Sequence, residues 1–188
     1  ARCRGKGHTC DARDVGEHAR DAVDALVVDV DAAVELDVRP VLVRCPQALL
    51  FDVVLNLVNN ALKHLRGQPV RVLRLEAKRI DDAAVLTVSD SGPGVPAEAV
   101  GSLGRPFYRV PGDRTPGTGI GLATVRRIVE RHGGRLELGS QPAGGFFARV
   151  SLPAVDDASD FADRDAGDAP AALAPGKPPT TDRPSNVV

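Results

Sequence analysis

Asp52, Asn56, Asn60 and Lys63 are spaced by four, four and three residues, so on a helix they stack along one side. Asn competes for backbone hydrogen bonds and is a mediocre helix former, so Asn56, Asn59 and Asn60 within one helix ask for a reason. A solvated helix face is one. The other is a stripe that meets a metal and a phosphate. An amide oxygen is a hard ligand suited to Mg²⁺, and a Lys one turn further on suits a phosphate.

A second group follows a predicted strand: Asp90-Ser91-Gly92-Pro93-Gly94-Val95-Pro96. Such a run makes a tight turn, and it also sets a carboxylate beside glycines that let a flat ligand approach the backbone. A carboxylate only accepts hydrogen bonds, so it favours an exocyclic amine such as that of adenine over the carbonyl of guanine. A third group, Gly117-Thr118-Gly119-Ile120-Gly121-Leu122, opens a helix. Glycines there allow backbone N–H groups to meet phosphate oxygens at the positive helix end. This is neither a Walker A loop nor the dinucleotide fingerprint, given its GxGxG spacing. Arg105, Arg109 and Arg114 in the preceding loop are either solvated or a clamp for polyphosphate.

The elements that must position these groups can be read from periodicity. Apolar Leu49, Leu50, Val53, Val54, Leu57, Val58, Ala61, Leu62 and Leu65 predict a helix over 47–65, entered after Pro46 and stopped by Gly67 and Pro69. Val70–Ile80 and Ala84–Val88 predict a hairpin around Asp81-Asp82. Val34–Cys45 reads as a short hairpin or strand pair around Arg39-Pro40. The long Asp90–Thr118 segment lacks regular structure, which inside a compact domain points to function. A helix is predicted over Gly119–His132, closed by Gly133-Gly134, and then strands over Arg135–Leu138 and Phe146–Leu152. Upstream, Ala1–Thr9 reads as a linker remnant, and Cys10–Val28 as an amphipathic helix capped by Asp11 or Asp14. Ala154–Val188 is rich in Ala, Asp and Pro without an apolar face, and is expected to be disordered. The domain is therefore placed at 11–153, between a 1–10 remnant and a 154–188 tail.

Composition narrows the class. The 188 residues carry 24 Lys+Arg against 25 Asp+Glu, a net charge of −1, which argues against a generic nucleic-acid or anionic-membrane binder. No apolar run approaches the roughly 20 residues of a membrane span, and no secretory leader is evident. With 3% aromatic residues the core must be aliphatic. Three cysteines are few and cannot pair off, which fits a reducing compartment. The absence of Met suggests a piece of a larger protein.

In this order the groups resemble the boxes of the ATP-binding catalytic domain of bacterial sensor histidine kinases, within the GHKL (Bergerat-fold) ATPase superfamily. Asn56–His64 (NLVNNALKH) looks like the N box and Asp90–Gly94 (DSGPG) like the G1 box. Arg105–Arg109 (RPFYR) looks like the F box, and Gly117–Gly134 like the G2 box and its helix. Phe146–Pro153 is similar to the family's last strand. The resemblance implies an α/β (α+β) two-layer sandwich, with a mixed, mostly antiparallel sheet and helices on one face. It implies Mg-ATP as ligand. Asn60 would take Mg²⁺, with Asn56 one turn before it, and Lys63 and Arg109 would approach the phosphates. Asp90 would bind the adenine amine, with Gly92, Gly94 and Val95 beside the base. Phe107, Tyr108, Thr118, Ile120 and Leu122 belong to the same nucleotide-binding set, and Gly117, Gly119 and Gly121 would hold the phosphates. Gly94–Gly117 corresponds to the mobile ATP lid.

Hydrolysing members of that superfamily place a Glu where this chain has Asn56, which cannot take a proton. A neutral imidazole acceptor needs no base, so the substitution argues for transfer to histidine. The acceptor is expected on a dimerisation domain outside this chain, with a response regulator beyond it. His18-Ala19-Arg20-Asp21 is the nearest approach to a phosphoacceptor motif here, and the pattern does not match. His64 is read as structural or near the site, and His132 as a helix-end residue. Cys3, His8 and Cys10 are too irregularly spaced for a zinc site. The alternatives are an anti-sigma-factor type Ser/Thr kinase of the same superfamily, which Asn56 counts against, and a nucleotide-binding scaffold without transfer. The chain is expected to be monomeric and cytoplasmic, within a parent that is membrane-anchored in much of the family.

Overall fold

The computed structural model describes residues 9–11, 30–141 and 144–156. Among these residues seven strands form one sheet: β1 (Thr9–Asp11), β2 (Ala33–Val38), β3 (Leu42–Arg44), β4 (Val72–Ile80), β5 (Ala83–Asp90), β6 (Arg135–Ser140) and β7 (Phe146–Val155). The path across it is β1-β3-β7-β5-β4-β2, with β6 also paired to β7. All pairings are antiparallel except β2 with β4. Two helices, α1 (Gln47–Leu65) and α3 (Gly121–Arg131), cover one face, and a short α2 (Ala97–Val100) lies between them in sequence.

Alternation explains the layering. In β4 Leu73, Leu75 and Ala77 are buried while Arg74 and Lys78 are exposed. Across the sheet Ala84, Leu86 and Val88 of β5 and Ala148, Val150 and Leu152 of β7 join them in the core. Val53, Val54, Val58 and Leu65 of α1 and Val125 and Val129 of α3 are at most 1% exposed and close the core from the helix side. The core is aliphatic, as the composition implied, with Phe146 its one buried aromatic among the described residues.

Four expectations need correction. Val34–Cys45 is not a strand pair: β2 runs parallel to β4, and β3 joins β7 and β1. Pro40 has no N–H for a ladder and keeps Arg39 extended, where its N–H bonds the carbonyl of Ala77 at 2.8 Å. Cys10 and Asp11 do not open a helix; they stand in β1 opposite Val43 and Leu42. Ala154 and Val155 continue β7 and pair with β3, so the ordered chain passes Pro153. The last helix begins at Gly121 because Gly119 has φ +73, a left-handed conformation that cannot propagate a helix. The rest of the predicted first helix, His18, Cys3 and His8 with the zinc question, and 157–188 lie outside the described residues. None of the described helices is long and apolar enough to cross a membrane.

Candidate functional site

A cleft of about 610 Å³ opens between α1, α3 and the 93–119 segment. From α1 it receives Asn56, Asn59, Asn60, Lys63 and His64, the polar side of the helix whose other side fills the core. Asn56 gives its amide N–H to the carbonyl of Asp52 at 2.8 Å. Its Oδ1 points to the start of α3, 3.1 Å from where a Cβ on Gly121 would sit. Asp52 itself lies outside the cleft wall.

Asp90 is placed by parity. It continues the row Ala84, Leu86, Val88 on the helix side of β5 and is 5% exposed. Oδ1 accepts the N–H of Gly92 at 2.8 Å and that of Phe146 at 3.3 Å. Oδ2 is buried with no hydrogen-bond partner among the described residues. Such an atom is costly to leave unmatched, so a donor entering the cleft would find an acceptor already desolvated. Burial pushes the carboxyl above the usual range, while the Gly92 and Phe146 N–H groups and the charge of His64 pull it back.

The loop opposite is braced by backbone contacts. The N–H of Phe107 donates to the carbonyl of Gly119 at 3.1 Å, and a Cβ on Gly119 would lie 2.8 Å from the carbonyl carbon of Phe107. Only glycine fits such an approach at φ +73. Gly117 comes near Lys63, whose Nζ lies 3.8 Å from the position of a Cβ there. Tyr108, Arg109, Thr118 and Leu122 also line the cleft. Arg109 bonds the carbonyls of Asp113 and Gly117, at 3.0 and 3.2 Å, and that of Thr115. Burial works to raise the Asp113 carboxyl, but the N–H and hydroxyl of Thr115, the charge of His64 and Arg109 outweigh it and hold it below the ordinary range. At the root of the loop, Arg126 of α3 bonds the carbonyl of Leu103 at 2.7 Å.

Of the residues singled out in the sequence, the cleft wall gathers Asn56, Asn60, Lys63, Asp90, Gly94, Val95, Tyr108, Arg109, Gly117, Thr118, Gly119, Gly121 and Leu122. Gly92 acts on the cleft only through its N–H to Asp90. Phe107, 74% exposed with φ +63, and Ile120, 41% exposed at the cap of α3, point elsewhere. Arg105 and Arg114 are exposed and off the wall, so the expected arginine clamp reduces to Arg109. Sequence reasoning passed over Asp113, Thr115, Val110, Leu103 and Phe146. The Asp113-Arg114-Thr115 spacing carries an Asx-turn signal that could have found the first two. Phe146 arrives from a remote strand and left no local signal.

No group of three or more His, Cys, Asp or Glu among the described residues is placed to hold a metal. The donor set is instead three amides beside a cation. It suits Mg²⁺, which takes few protein ligands and completes its shell with water and substrate phosphate.

The cleft thus sets a desolvated carboxylate at one end and a Lys with hard amide oxygens at the other, under a glycine-rich loop. The family described as "Histidine kinase-, DNA gyrase B-, and HSP90-like ATPase" matches residues 46–156, and the chain belongs to it. Sensor protein QseC of Escherichia coli O157:H7 is 36% identical over 122 residues, 65% of this chain and 26% of that protein. Sensor protein KdpD of Mycobacterium tuberculosis (strain ATCC 25618 / H37Rv) is 35% identical over 140 residues, 73% of this chain and 15% of that protein. The signal transduction histidine-protein kinase AfsQ2 of Streptomyces coelicolor is 35% identical over 155 residues, 78% and 28% respectively. The chain thus spans 15–28% of the length of these relatives. Among solved structures, the mycobacterial sensor histidine kinase MprB superposes with a TM-score of 0.71 at 29% identity, over 78% of this chain and 97% of that one. The mixed sheet with helices on one face is the α/β fold of histidine-kinase catalytic domains.

Proposed function

We propose that this chain binds Mg-ATP and donates its γ-phosphate to a histidine on a dimerisation domain of the same parent protein, in two-component signalling. The observation that carries the reading is Asp90: a buried carboxylate with one oxygen held by two N–H groups and the other unmatched at the cleft. It would take the adenine amine, with Gly94 and Val95 beside the base. Asn60, with Asn56 a turn earlier, would hold Mg²⁺, and Lys63 would face the phosphates from α1 while Gly117, Gly119 and Gly121 offer backbone N–H groups from the other side. Mg²⁺ would supply neutralisation of the phosphate oxygens. The chain's own part is positioning and shielding from water. The acceptor imidazole attacks the γ-phosphorus with its lone pair, and the bond to the bridging oxygen breaks, leaving ADP. Asn56 offers no base to activate water or a hydroxyl, which favours imidazole as acceptor. A response regulator would then take the phosphate from that histidine, in the cytoplasm.

The test incubates the chain with γ-labelled ATP and Mg²⁺, with and without the parent's helical phosphoacceptor domain. Acid-labile, base-stable label on the added domain supports the reading. Acid-stable label on Ser or Thr would point to the hydroxyl kinase, and binding without any label to a scaffold.

A further inference from the structure

The guanidinium of Arg109 is committed to its own loop. Nη1 donates to the carbonyl of Gly117 at 3.2 Å, and Nη2 to the carbonyl of Asp113 at 3.0 Å and to that of Thr115. Nη2 also lies 3.4 Å from Oδ2 of Asp113. The other carboxylate oxygen accepts the N–H of Thr115 at 2.8 Å and its hydroxyl at 2.7 Å. Three carbonyl oxygens between residues 113 and 117 therefore converge on one cation, and a carboxylate from the same stretch neutralises it. Carbonyl dipoles pointed at one place repel one another, so this loop shape depends on the cation. Only a guanidinium has a planar fork able to hold several oxygens at once. The stretch has no helix or strand of its own to keep its shape.

We propose that Arg109 and Asp113 form a brace that holds the 109–117 loop folded beside the cleft before any nucleotide arrives. Arg109 is then a positioning residue, and Lys63, next to Gly117 across the cleft, is the remaining Lys or Arg of the cleft wall among the described residues, left to meet phosphate. The brace acts by preorganisation: a loop already ordered adds little entropic cost to the binding of a ligand that touches it. The proposal rests on the nucleotide-binding reading above, and it separates from a phosphate-contact role by whether loop exchange and Asp113→Asn respond.

The experiment compares wild type with Arg109→Ala, Arg109→Lys, Asp113→Asn and the Arg109→Ala/Asp113→Asn double variant. Two quantities are measured: amide exchange of residues 110–119 in the nucleotide-free protein, and calorimetric Kd for ATP, ADP and adenosine. Each single variant is expected to speed exchange and to weaken ATP and ADP by one common factor, roughly five- to tenfold for loss of one or two ordered hydrogen bonds, with a smaller effect on adenosine. Arg109→Lys should not rescue, and the double variant should be no worse than the poorer single. Unchanged exchange, with ATP weakened by Arg109→Ala and not at all by Asp113→Asn, would overturn the brace and make Arg109 a phosphate ligand. A wild-type chain that binds none of the three would overturn the nucleotide reading instead, while exchange in the free protein would still decide the brace.

Discussion

A Cβ on Gly145 would lie 2.0 Å from the carbonyl oxygen of Asp90, so the turn before β7 and the end of β5 meet backbone to backbone. The next residue, Phe146, gives its N–H to the Asp90 carboxylate. The orientation of the cleft's buried acid is therefore fixed by a segment more than fifty residues away, as well as by its own turn at Gly92.

That contact separates two neighbouring glycines. Gly145→Ala meets both a left-handed φ of +98 and the Asp90 backbone, and should cost about 3 kcal/mol or more of stability. Gly144→Ala, at φ +91 with open space around it, should cost only the conformational strain, about 1 kcal/mol. Urea unfolding of the two variants checks this; equal losses would show that the contact is not tight.

Asp90→Asn should separate stability from recognition. The folded-state pKa is raised, so stability from this group is present below the unfolded pKa and is lost as pH rises through the folded one. At neutral pH the buried charge is a cost, and Asn keeps an acceptor for the two N–H groups. The variant should therefore melt higher than wild type at pH 7. The advantage should vanish toward pH 3. Its preference for ATP over GTP should fall; an unaltered preference would remove Asp90 from base recognition.

Asn60→Ala removes an amide oxygen from the cleft wall without touching the buried side of α1. The far-UV spectrum and Tm should stay near wild type, while nucleotide affinity loses its dependence on Mg²⁺. Isothermal titration with and without chelator measures this, and persistence of the Mg²⁺ effect would move the ion elsewhere.

Cys45 is fully buried, and burial pushes its thiol up to about 11. In the native protein at pH 8 it should resist iodoacetamide and react only on unfolding. Peptide mapping distinguishes its peptide from those of Cys3 and Cys10. Rapid native labelling at Cys45 would mean that the start of α1 opens locally.

Elements bounded by local chemistry were legible. Pro46 before, and Gly67 and Pro69 after, frame α1 at Gln47–Leu65, and Asp81, at φ +52, turns β4 into β5 as the Asp81-Asp82 pair implied. Pairings set by distant partners were not. Nothing in Val34–Cys45 says that β2 will lie beside β4 and β3 beside β7. The same division holds in the cleft. Runs such as Asn56–His64 and Gly117–Leu122 announce themselves because spacing alone puts their groups together. Phe146 enters only through the fold. Phe107 and Ile120 sit within recognisable runs, yet both are exposed, Phe107 from a left-handed backbone conformation.

The order of the strands in space differs from their order in the chain, and this governs how the molecule is assembled. β7 stands between β3 and β5, yet it is the last of the described strands to be synthesised. As the polypeptide leaves the ribosome, β2, β4 and β5 can associate early, but β1 and β3, paired with each other, have no strand linking them to the rest of the sheet until residues 146–155 emerge. The closing step must bring together segments roughly a hundred residues apart, at a loop-closure cost that slows it. A nascent chain halted before β7 would expose the unpaired edge of β5, a template for aggregation, and would also lack the N–H that completes the grip on Asp90.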